Sequence, residues 1–76
     1  MARFPTLQAR NVIRALEVLG FEEVRRRGSH ARFRHPDARV VTVPVHRGQD
    51  IGRGLLQKIL RDAQVTPGEF SEALNG

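Results

Sequence analysis

The run Arg25-Arg26-Arg27-Gly28-Ser29-His30 sets one imidazole directly after three permanent positive charges and a glycine turn. Histidine takes and gives protons near neutral pH, and arginine grips phosphate oxygens with a planar fork of donors. Together they fit proton transfer at a place where a phosphate is held. A solvated basic turn with an ordinary surface histidine would have the same six residues, because charge runs are common on surfaces. The surrounding sequence favours the first reading. No acidic side chain lies between Glu23 and Asp37, a stretch that holds five arginines and two of the three histidines. Such a stretch is a candidate phosphate footprint, although a strand edge that uses charge against aggregation would also carry it.

The whole chain leans the same way. Thirteen basic residues against eight acidic ones give a formal net charge of +5, and every basic residue except Lys58 is arginine. That balance points to polyanionic partners, nucleic acid first, with an acidic protein or a membrane surface behind it. At 76 residues the chain reads as one domain, 1–76, whose small core hides roughly 60% of the surface the unfolded chain exposes. The absence of cysteine removes disulfides and thiolate metal sites and makes a cytoplasmic location the simpler expectation. Residues 1–6 lack an apolar signal core and no long apolar run exists, so neither secretion nor membrane spanning is expected.

The elements that must position these groups follow from periodicity. Thr6 can cap a helix over residues 6–19, with Leu7, Val12, Ile13, Leu16 and Leu19 at helical spacing and Gly20 as its stop. Residues 21–27 lose that period and suit a strand closed by the Gly28-Ser29 turn. A second strand over 30–34 alternates His30, Arg32 and Arg34 with Ala31 and Phe33. His35-Pro36-Asp37-Ala38 reads as a hairpin loop, and 39–46 as a third strand rich in valine and threonine. Arg47-Gly48-Gln49-Asp50 reads as a turn into a second helix ending near Ala63, its buried stripe being Leu55, Leu56, Ile59, Leu60 and Ala63. Its amino terminus, with Gly48, Gly52 and Gly54 nearby, could offer backbone donors to an anion. Thr66-Pro67-Gly68-Glu69 reads as a capping box for a last short helix that brings Phe70 and Leu74 to the core.

Register turns the strands into a site. Pairing Phe33 with Val41 puts Ala31 opposite Val43 and makes one face continuously apolar. The other face then carries His30, Arg32, Arg34, Thr42 and Pro44, with His46 just past the paired end. His30 and His46 would meet at one end of the sheet, although a two-residue slip would keep the faces and separate the histidines.

The order helix, three antiparallel strands, helix is an α+β arrangement that resembles the double-stranded-RNA-binding-domain-like fold. Within it, Leu19-Gly20-Phe21, then Arg27-Gly28-Ser29-His30 with Phe33, then Val43-Pro44-Val45-His46 with Gly48, and finally Gly54-Leu55 leading to Ile59-Leu60 and Ala63, resemble the HicA toxin family, also called YcfA-like. The resemblance extends to Phe70 and covers nearly the whole chain. An arginine-rich composition, where many relatives carry lysine, is a departure.

The resemblance implies the toxin of a type II toxin-antitoxin pair, a metal-independent endoribonuclease acting on mRNA, with the histidine of the Gly-Ser-His motif catalytic. That position is His30. RNA carries its own nucleophile in the ribose hydroxyl, so an enzyme need only take that proton, steady the phosphorane charge and protonate the leaving oxygen. His46 is the second candidate for proton transfer, with a polar strand-end residue as its ordinary alternative. Arg25, Arg26, Arg27, Ser29, Arg32 and Arg34 form the candidate RNA-binding set, with Arg27 and Arg32 as charge stabilisers. No cofactor is implied, and zinc is set aside because His30 and His35 would lie near opposite ends of one short strand. A HicB-like antitoxin is the implied protein partner, covering the active face. The rival readings are a non-catalytic RNA-binding module of the same fold and a basic partner for an acidic protein.

Overall fold

A computed structural model of the chain describes residues 6–46 and 50–76. The elements run β1 (Leu7–Gln8), α1 (Ala9–Val18), β2 (Glu22–Arg27), β3 (His30–Arg34), β4 (Val40–Pro44), β5 (Asp50–Ile51), α2 (Arg53–Ala63) and α3 (Pro67–Asn75). β2, β3 and β4 form an antiparallel sheet in that order, and β1 pairs with β5 in a separate two-stranded ladder. Helix, three-stranded sheet and helix, with a C-terminal helix added, make an α+β domain consistent with the double-stranded-RNA-binding-domain-like fold.

Side-chain alternation sets the faces of the sheet. Phe33 lies opposite Val41 and Ala31 opposite Val43, the register expected from their pattern. All four are buried, and they pack with Val12, Leu16, Leu56, Ile59 and Phe70 into one apolar cluster under the helices. Moving any of these strands by one residue would turn that set to solvent. β2 stands apart, because each of its six residues is exposed. It is an edge strand, the one that overhangs the layer that α1 and α2 build over β3 and β4.

Two turns set the geometry of the outer face. Gly28 takes φ +57° at the first central position of the two-residue turn between Arg27 and His30, the place where a hairpin turn favours glycine. Gly20 takes φ +101° just past α1, where the Phe21 amide donates to the Leu16 carbonyl at 2.9 Å. α3 begins with a complete capping box: the Thr66 side chain accepts from the Glu69 amide, the Glu69 carboxylate accepts from the Thr66 amide, and Pro67 follows. The bond from the Thr66 amide, first of all, and the nearby Thr66 side chain hold the Glu69 carboxyl below its ordinary range.

Four expectations need correction or narrowing. Thr6 does not cap the first helix; residues 7–8 are drawn into the ladder with β5, so α1 starts at Ala9 behind an extended Gln8 that makes no side-chain cap. The third strand ends at Pro44 and not at His46. Leu55 is 37% exposed, because Leu56, Ile59, Leu60 and Ala63 already complete the buried stripe of α2. Of the turn expected at Arg47-Gly48-Gln49-Asp50, the first three residues lie outside the described residues, and Asp50 opens β5 instead. No described helix is long and apolar enough to cross a membrane.

Candidate functional site

The outer face of the sheet is organised as three rungs running across its strands. The first holds Arg27, His30 and Pro44; the second Arg25, Arg32 and Thr42; the third Glu22, Arg34 and Val40. Opposed residues of an antiparallel pair share a face. The outer face therefore carries four arginines and a histidine, all exposed.

His46 joins the first rung through the backbone. The Val45 amide donates to the Ser29 carbonyl at 2.6 Å, which extends the β3–β4 pairing past Pro44 and keeps the chain alongside the turn. Two residues beyond Pro44, His46 returns to the outer side. Its ring lies 6.2 Å from that of His30, centroid to centroid, with the planes at 79°. Both histidines are exposed. Among the described residues, nothing lies within 4 Å of where a Cβ on Gly28, at the turn beside them, would sit. Ser29, half-buried, contributes its carbonyl to this arrangement.

A bulge in β2 sorts the charges between the two faces. The pairing steps from Glu23 opposite Phe33 to Arg25 opposite Arg32, leaving Val24 as the extra residue, 53% exposed. Glu23 and Arg26 are thereby both placed on the helix side of the sheet. There they form a two-pronged ion pair, with Arg26 Nη2 at 2.9 Å from Glu23 Oε1 and Nε at 3.2 Å from Oε2. This bond holds the Glu23 carboxyl below its usual range and raises the Arg26 guanidinium further. Of the candidate set, the structure thus brings together His30, His46, Arg25, Arg27, Arg32 and Arg34 on one face, with Ser29 at its edge. Arg26 goes elsewhere. Bulges leave no mark in an alternation pattern, so only the Arg-Glu spacing of three could have hinted at this.

Arg25, Arg27, Arg32 and Arg34 have no ion-pair partner among the described residues, and Arg25 faces Arg32 directly. Like charges directly opposed cost stability, by about 0.2–1 kcal/mol in exposed strand pairs. A face built at that cost has unspent attraction for an anion. Among the described residues no three His, Asp, Glu or Cys side chains converge as metal ligands would. His35, the remaining histidine, sits at the far end of β3 and turns toward Asp37 and Phe21.

An exposed sheet face that carries a histidine pair among unpaired arginines presents a positive field to solvent. The sequence model of the HicA toxin of bacterial toxin-antitoxin systems matches residues 9–65. The chain belongs to this family, and a toxin-antitoxin role follows from membership. No curated protein matches it.

Proposed function

We propose that the chain is a metal-independent endoribonuclease that cuts mRNA at the end of the sheet marked by His30 and His46. The observation that carries this reading is the approach of the two exposed imidazoles, 6.2 Å apart, beside an arginine-lined face. Two imidazoles at that separation can serve the opposite ends of one phosphodiester. One takes the proton of the ribose 2′-hydroxyl as it attacks phosphorus. The other gives a proton to the departing 5′-oxygen, so the upstream fragment ends in a cyclic phosphate and the downstream one in a hydroxyl. Arg27, directly across from His30, and Arg32, one rung away, are placed to steady the charge that gathers on the non-bridging oxygens. The nucleophile belongs to the substrate, so the protein supplies only proton transfer and electrostatics.

The partner implied by the family is a HicB-like antitoxin. An antitoxin presenting carboxylates to this face would be steered by the same positive field that attracts RNA and would exclude it.

The test is incubation of purified protein with single-stranded RNA in excess chelator, followed by analysis of product ends. Cleavage with cyclic or opened phosphate ends is expected, and RNA with one deoxyribose at the cut site should resist. Cleavage of DNA at a comparable rate would exclude the mechanism.

A further inference from the structure

We infer that the second and third rungs of the sheet are a phosphate track that holds the RNA on one side of the scissile bond only, making the footprint asymmetric. The inference rests on the proposed cleavage at His30 and His46 and adds the path of the strand. Same-face residues along β3 recur every second position, so Arg32 and Arg34 stand about 7 and 14 Å from His30 along the strand. An extended single strand spaces its phosphates at a similar interval. The phosphate next to the cut would then lie over the second rung, between Arg25 and Arg32, with Thr42 as a hydroxyl donor beside them. The next would meet Arg34 alone, opposite Glu22, whose carboxylate weakens the attraction and ends the track. In the other direction, among the described residues, the sheet stops at the Gly28-Ser29 turn.

The bulge at Val24 supports this assignment independently of the histidines. It gives Arg26 an internal carboxylate on the helix side and leaves Arg25 and Arg27 unpaired on the outer side. Three consecutive arginines thus have two fates, and only the two on the rungs remain available to a ligand. The polar character of the track, with no aromatic side chain on its two rungs, fits recognition of the RNA backbone and not base stacking.

The experiment walks a single uncharged methylphosphonate linkage outward from the cut in a short RNA. Binding is measured with His30→Ala protein and cleavage with the unaltered protein. The first replacement on one side should weaken binding about fivefold, the second on that side by less, and replacements on the other side by under twofold. Arg32→Gln should lose its sensitivity to the first replacement, and Arg34→Gln to the second. Equal sensitivity on both sides would overturn the track while leaving the nuclease intact. So would arginine variants that weaken antitoxin binding and leave RNA binding unchanged. If the unaltered protein cuts no RNA, the nuclease reading falls. The coupling of Arg32 and Arg34 to neighbouring phosphates, read by binding alone, then still decides the track.

Discussion

The two ends of β3 each carry a histidine and an arginine, and they put them to opposite uses. At the far end, Arg39 Nε bonds both oxygens of Asp37, at 3.0 and 2.8 Å, and Nη1 donates to the carbonyls of Ala63 and Gln64 at the end of α2. Its guanidinium also lies over Phe21, 5.2 Å from the ring centroid. His35 rests edge-on against the same ring, and its Nδ1 accepts from the Asp37 amide when neutral or faces the Asp37 carboxylate when protonated. At the turn end, His30 and His46 have one another, and the arginines beside them have no carboxylate among the described residues. The difference is one well-placed aspartate. Where a carboxylate and a carbonyl meet the cations, the cluster holds the hairpin to the helix; where, among the described residues, none does, the arginines stay unpaired and exposed.

The sharpest way to break this contrast is to exchange the roles of the histidines. His30→Ala should reduce RNA cleavage by about 10²–10⁴-fold, the usual contribution of a proton-transfer group, with little change in Tm. His35→Ala should lower Tm and leave cleavage per folded molecule near its original value. Loss of cleavage in a folded His35→Ala protein would mean that both ends serve the chemistry.

Arg39→Ala comes next in size. It removes the Asp37 pair, two hydrogen bonds to carbonyls and the cover over Phe21 together, an expected loss of about 2–3 kcal/mol. Thermal unfolding should shift down by about 4–8 °C per kcal/mol in a domain this small. Arg32→Ala should instead leave Tm unchanged or raise it slightly, because it relieves the repulsion from Arg25. Its effect should appear in RNA binding, where the salt dependence should flatten by about 0.7 in slope for each phosphate the protein no longer neutralises.

The two left-handed glycines offer a smaller contrast. A Cβ on Gly20 would lie 2.8 Å from His35 Nε2 in addition to the strain of φ +101°, whereas one on Gly28 would meet none of the described residues. Gly28→Ala should cost about 1–2 kcal/mol from backbone conformation alone, and Gly20→Ala distinctly more. Equal losses in urea unfolding would show that His35 swings aside freely.

The smallest effect is in acid. Hydrogen bonds from Arg39, first of all, hold the Asp37 carboxyl below its ordinary range. A depressed folded value means the stabilisation is present above the unfolded carboxylate range and is lost as pH falls through the folded one. Asp37→Asn should therefore flatten the fall in stability over that acid window. It should leave the pH profile of RNA cleavage, which depends on the other end of the strand, unchanged.

How legible these two ends were in the sequence differs for physical reasons. Alternation gave the span of β3 and the inward face of Phe33 and Val41, but a slip of two residues would have kept those faces and parted the histidines, so the approach of His46 to His30 needed the register itself. The Thr66 capping box was equally plain, being a local pattern. The ladder of Leu7–Gln8 with Asp50–Ile51 left no trace, since two residues per strand have no period, and it overrode a reasonable cap at Thr6. The bulge at Val24 was hidden for a related reason: one extra residue reverses the face of everything before it. The division of Arg25, Arg26 and Arg27 between two faces therefore required the fold itself. His35 and Arg39 were read as loop and strand start because their partners, Phe21 and the end of α2, are distant in sequence.

That short ladder has a practical consequence for handling the protein. Leu7 and Gln8 pair with Ile51 and Asp50, and Asp50 is four residues beyond His46, so these two residues moor a point on the chain downstream of the second imidazole. Trimming through residue 8, or fusing a bulky tag directly onto Leu7, would slacken that mooring while His30 stayed fixed between its two strands. Preparations differing only at their amino ends should then differ in cleavage rate with nearly equal core stability, and the cause would lie at His46.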